Sequence, residues 1–158
     1  MREIKFRQPT FRKGEFIDFH YWGFIKHESL SDYIFVSPIG NNKTYEEIMN
    51  LSQQFTGLKD KNKKEVYVGD IIRVPSDCGI IGGCKDCGDL HSPEWHEVIK
   101  FGKFKDAYED DNEELIGFYV ETYDKGKKTY HLIPSMLKEK FIVGNIYQNP
   151  ELLKEVKQ

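Results

Sequence analysis

The chain has 158 residues, enough for one domain or for one core with a modest appendage. Its net charge of −3 excludes a polybasic nucleic-acid binder, and every apolar stretch falls short of the ~18 residues that a membrane-spanning helix needs. Only 39% of residues are hydrophobic, but eleven Phe, nine Tyr and two Trp supply rings that each remove ~150–250 Å² from water and favour strands over helices.

Residues 3–7 alternate polar and apolar side chains, the period of a half-buried strand. Pro9 to Gly14 then predicts a break. Phe16 to Lys26 is dense in aromatics and suits a long strand, with Gly23 as a bend or bulge. Tyr33 to Ser37 reads as a short strand closed by Pro38-Ile39-Gly40 and the Asn41-Asn42 turn. Thr44, with Glu47 three residues on, forms the sequence pattern of a capping box, and predicts a short helix over residues 45–51.

A strand from Gln53 to Leu58 follows. Lys59-Asp60-Lys61-Asn62-Lys63 is a turn, because Asp and Asn tolerate positive φ and bond their own backbone. Lys64 to Val68 returns as the second strand of a hairpin. Gly69-Asp70 makes a corner, and Ile71 to Val74 runs until Pro75. Residues 76–94 hold four Gly and three Cys with little apolar periodicity, and read as a loop or insertion. Trp95 to Phe101, Ile116 to Tyr123 and Lys128 to Leu132 are strands, the last two joined at Asp124-Lys125-Gly126-Lys127. Pro134 to Lys138 suits one helical turn, Phe141 to Tyr147 a strand, and Asn149-Pro150-Glu151 the start of a terminal helix reaching about Val156.

Three pieces of this chain carry a distinctive wording: MREIKFR (Met1–Arg7), TGLKDKNKKEVYVGDIIRV (Thr56–Val74) and VGNIYQNPELL (Val143–Leu153). In that order they resemble the YopX family of phage and prophage proteins. The resemblance implies an SH3-like barrel in the C-terminal part and brings no established catalytic residues. Residues 12–52 match it loosely, and residues 76–94 stand as an insertion. Gly57, Asp60, Gly69, Asp70, Gly144 and Asn145 match the signature, and turns, corners and close strand approach account for residues of these types. The expected architecture is mainly β. An N-terminal β segment (1–52) packs on a small SH3-like barrel (53–158), which carries the Cys-containing insertion and a short C-terminal helix.

Within the insertion, Cys78, Cys84, Cys87 and His91 have ligand types and spacing for a structural zinc ion. Cys84-x2-Cys87 can share one metal, and Cys78 and His91 would complete a closed tetrahedral Cys3His site. The competing reading is a reduced loop that ligates nothing. The acidic run from Asp106 to Glu114 lacks the spacing of a calcium loop and reads as solvated. His20, Tyr21 and Trp22 read as core or interface. No phosphate-binding glycine loop or nucleophile elbow is present.

Lys59, Lys61, Lys63 and Lys64 cluster at one hairpin tip, and Lys125, Lys127 and Lys128 at another. Two such tips at one end of a barrel would make a patch for phosphate backbone. The N-terminal stretch has no signal-peptide core, so a cytoplasmic protein with reduced thiols and no membrane partner is expected. The favoured function is a non-enzymatic phage or prophage accessory protein that binds its own copies or another protein. A nucleic-acid-binding regulator using the lysine tips is the alternative.

Overall fold

Alternating side chains from Ile4 onward form strand β1 (Ile4–Arg12), which reverses at Lys13-Gly14 into β2 (Glu15–Lys26). Both turn residues have positive φ, 53° and 86°, the two-residue geometry whose twist matches that of the flanking strands. The structure is a computed structural model that describes residues 3–26, 33–40, 42–74, 95–105, 114–124, 127–132 and 140–153.

The first sheet continues with β3 (Tyr33–Val36), the helix α1 (Tyr45–Leu51), β4 (Gln53–Lys59) and β5 (Glu65–Tyr67), in the order β3-β2-β1-β4-β5. The predicted capping box is present. Glu47 N donates to Thr44 Oγ1 at 3.2 Å, and Thr44 N donates back to Glu47 Oε2 at 2.7 Å. That backbone donor, first of all, holds the Glu47 carboxyl below the usual carboxylate range.

The predicted break at Pro9 does not occur, and β1 runs straight through it. Pairing with β4 covers only Phe6 and Arg7, so Pro9 sits where β1 has β2 alone as a partner. An edge position leaves room for the missing N–H. The bulge expected at Gly23 lies instead at Thr10/Phe11, where Ile17 of β2 goes unmatched. Gly23 has a different reason to be glycine: it sits at φ 110°, and a Cβ there would collide with the Ile4 carbonyl.

The second sheet contains β6 (Asp70–Val74), β7 (Trp95–Phe104), β8 (Leu115–Asp124), β9 (Lys127–Leu132) and β10 (Ile142–Asn145), in the order β10-β6-β7-β8-β9. Its pairings are all antiparallel. The terminal helix is a single 3-10 turn, Pro150–Leu153, and residues 154–158 lie outside the described part. Adjacent residues Ile71 and Ile72 are both fully buried, which shows that β6, between β10 and β7, is covered on both faces. Ile99 and Val120 complete this core, and Phe104 stacks on Tyr119 at 4.9 Å.

By contacts the chain divides into two units, Met1–Leu58 with Glu65–Val68, and Lys59–Lys64 with Gly69–Gln158. Neither sheet closes into a barrel among the described residues. Sequence reasoning grouped β4 and β5 with the C-terminal strands, whereas β4 hydrogen-bonds to β1. An alternating pattern says that a strand exists but not which neighbour it takes. Here buried Gln53 supplies the choice, accepting a 2.8 Å bond from Arg7 Nε of β1.

Two glycines with similar dihedrals separate strain from collision. Gly14→Ala meets nothing within 4 Å and is expected to lose only about 1 kcal/mol for its left-handed φ. Gly23→Ala adds a backbone clash and is expected to lose more than ~2 kcal/mol. Urea unfolding of the two variants checks the order.

Candidate functional site

The tip between β4 and β5 is wound around one carboxylate. Asp60 is only 6% exposed. Its Oδ1 accepts from Asn62 N at 2.9 Å and Lys64 N at 2.8 Å, and its Oδ2 from Ile142 N at 3.2 Å. Backbone bonds close the loop from the other side: Asp60 N to Lys64 O and Lys63 N to Asp60 O, each 2.9 Å. Lys61 N reaches Lys140 O at 3.3 Å. Lys63, not Asp60 or Asn62, takes the positive φ, 65°. Three N–H donors thus take the place of water around this buried side chain.

Corner residue Gly69 lies at φ 83°. Its N–H donates to Ile99 O at 2.8 Å, and its carbonyl accepts both Ile146 N at 3.0 Å and Asn145 Nδ2 at 2.9 Å. The same amide nitrogen of Asn145 reaches Asp70 Oδ1 at 3.1 Å, while Asn145 Oδ1 accepts from Tyr147 N at 3.1 Å. Asp70 and Asn145 are 1% and 2% exposed. Gly144 is needed beside them because a Cβ would come within 2.7 Å of the Asn149 side chain. Thus Asp60, Gly69, Asp70, Gly144 and Asn145, which come from two distant pieces of sequence, meet in one hydrogen-bonded region of the second unit. Gly57 lies in β4, in the first unit, at φ 83°.

Sequence reasoning missed Glu97 and Lys140. Glu97 Oε2 lies 3.9 Å from Lys140 Nζ, with the two side chains 1% and 9% exposed. Lys140 Nζ makes no hydrogen bond among the described residues. Burial pushes its pKa below the usual lysine value, and the Glu97 charge pulls it partly back. Alternation within β7 was the available signal, since Glu97 falls between half-buried His96 and Val98 and is paired with Ile72.

In the first unit, one face of the sheet carries Lys5, Arg7, Phe19, Tyr21 and Tyr67. The Arg7 guanidinium lies 4.2 Å from the Phe19 ring centre and 4.4 Å from that of Tyr67. Lys5 Nζ and the Tyr67 hydroxyl both reach Glu65 Oε2, at 2.7 and 2.8 Å. The opposite face holds Phe6 stacked on Trp22 at 4.5 Å and, beyond them, an exposed row of Ile4, Phe24 and Phe35. These three are direct cross-strand partners on β1, β2 and β3.

Of the predicted site residues, the structure gathers Lys59, Lys61, Lys63 and Lys64 as exposed side chains at the tip. Lys125 lies outside the described residues, and Lys127 and Lys128 open β9. Cys78, Cys84, Cys87 and His91 all lie outside the described residues. Among the described residues no three His, Cys, Asp or Glu side chains are placed to hold a metal ion. None of the described helices is long and apolar enough to cross a membrane.

A family model described as YopX protein matches residues 5–154. The chain therefore belongs to the YopX family. No curated protein matches it.

Replacing Asn145 by Asp would set two carboxylates against each other and turn a donor to Gly69 O into an acceptor. The expected loss is about 3 kcal/mol or more, against a near-neutral effect of Gln148→Glu on the exposed surface, both read from urea midpoints.

The Glu97–Lys140 pair gives a second expectation. Lys140→Met alone takes a cation away from a buried acidic side chain and should cost about 3 kcal/mol, whereas Glu97→Gln with Lys140→Met should recover most of it. The folded pKa of Lys140 lies below its unfolded value, so between the two the unfolded chain binds more protons. Lys140 therefore adds stability as pH rises towards the unfolded lysine value. Urea midpoints of wild type minus the double variant should increase from neutral pH to about pH 10.

Proposed function

We propose that this YopX-family protein is a non-enzymatic accessory protein of a phage or prophage that acts by binding, first of all to its own copies. The observation that carries this reading is the row Ile4, Phe24 and Phe35, which are 57%, 48% and 56% exposed. The Phe24 and Phe35 rings lie 5.1 Å apart, so the row is one apolar surface and not scattered residues. It runs out to the edge of the sheet at β3, whose four residues Tyr-Ile-Phe-Val carry no charge. Edge strands usually carry Lys, Pro or a bulge against pairing, and none of these falls within Tyr33–Val36. A second copy brings the same edge strand and the same row, which suits a two-fold interface.

An SH3-like scaffold for the second unit is part of the same proposal. A four-strand meander, β6 to β9, with β10 returning beside β6, supports that reading, since an SH3-like barrel would have this strand order. A non-enzymatic role fits the buried polar groups of the second unit. The two oxygens of Asp60 hold backbone N–H groups, and Asn145 ties Gly69 and Asp70 to Tyr147.

Sedimentation or light scattering across a concentration series tests the interface. A mass that rises from one copy to two is expected, and Phe24→Ser with Phe35→Ser should weaken the dimer at least about tenfold, 1.4 kcal/mol. A single-copy mass at every concentration would sink the reading.

A further inference from the structure

We infer that the tip Lys59–Lys64 is a preorganised binding site for the phosphate backbone of a single-stranded nucleic acid, with Phe141 as a stacking platform beside it. The sequence Lys-Asp-Lys-Asn-Lys-Lys places four cations and one anion in six residues, a local +3 on a chain of net charge −3. All four lysines are exposed, and none forms an ion pair or side-chain hydrogen bond among the described residues. The one anion of the tip is turned inward, where its oxygens receive Asn62, Lys64 and Ile142 N–H groups.

This arrangement differs from an ordinary solvated turn in being rigid. Asp60 fixes the loop from within, Lys61 N is tied to Lys140 O, and Lys63 is held at φ 65°. The four lysines therefore stand on a backbone tied from within at Asp60 and from outside at Lys140. Cations carried on a held backbone bind an anionic strand with less ordering cost than cations on a loose loop. Lys61 Nζ lies over the half-buried Phe141 ring, 5.3 Å from its centre, so a cation and an aromatic ring share the tip. A cationic track with an adjacent ring is what an unpaired strand recognises, phosphates on one and a base on the other. A paired duplex hides its bases from the ring, and an acidic peptide has none to offer. The observations therefore favour the single strand.

Fluorescence anisotropy of the full chain with a labelled oligothymidine of about 15 nucleotides tests this. With four phosphate contacts the logarithmic salt slope should be about −3, an affinity loss of about fiftyfold between 50 and 200 mM salt. Lys61→Glu with Lys63→Glu should abolish binding without moving the urea midpoint or the mass at any concentration, which separates this site from the proposed dimer. Phe141→Leu, which keeps an apolar side chain, should weaken binding by about tenfold while leaving the salt slope unchanged. Absence of binding at 50 mM salt would overturn the inference. So would undiminished binding by the charge-reversed variant, or equal affinity for a duplex or for polyglutamate.

Discussion

Three backbone N–H groups from two places in the chain converge on the buried carboxylate of Asp60, two from its own loop and one from Ile142. Taking a carboxylate out of water costs several kcal/mol unless donors replace the lost hydration. The requirement runs both ways. The loop assumes its shape because the carboxylate needs Asn62 and Lys64, and β10 begins where it does because the carboxylate also needs Ile142. Asn145 works in the same way: its amide joins the Gly69-Asp70 corner to the end of β10, and its oxygen sets the turn into the 3-10 helix through Tyr147 N. Between them, Asp60 and Asn145 fix the strand β10 at both ends. The sheet order β10-β6 follows from those two side chains at least as much as from its apolar residues.

What the sequence made legible was local. Thr44 and Glu47 announced α1 at its observed limits because a capping box is a contact between residues three apart. The β4–β5 hairpin was equally plain, with its turn residues between apolar runs. Pro9 misled because its cost depends on whether a neighbour needs its N–H, and that neighbour is set by β4, some 45 residues away. The sheet to which β4 belongs was hidden for the same reason. Asp60 and Asn145 could be explained as turn residues, which they are, but their contacts to Ile142 and to Gly69 span 82 and 76 residues. Glu97 and Lys140 are ordinary surface types placed inside by a strand's register or by the chain's return, and only the alternation within β7 pointed to Glu97.

Exposed apolar and buried polar side chains coexist in both units, and the first unit shows how. Arg7 is 4% exposed, yet its guanidinium lies between two aromatic faces and its Nε bonds Gln53. The negative face of an aromatic ring accepts a cation that an aliphatic side chain would leave unsolvated. Lys5 extends the arrangement, near the rings of Tyr21 and Phe55 while its ammonium meets Glu65. Burial, and then the bond to Glu65, pushes the Tyr67 hydroxyl far above the usual phenol range, so it stays a neutral donor to that carboxylate.

This also explains how a chain only 39% hydrophobic builds a sheet of five strands in its first unit. An aliphatic core must exclude Lys, Arg and Gln. A core of Phe, Tyr and Trp can hold them, because ring faces and phenol hydroxyls take part in the same contacts that exclude water. The inward polar residues then fill one face of the sheet, and the aliphatic and aromatic surplus on the other face is left with no internal use. Ile4, Phe24 and Phe35 are that surplus. Their exposure follows from the way the interior was made, which leaves that row to the proposed interface with a second copy.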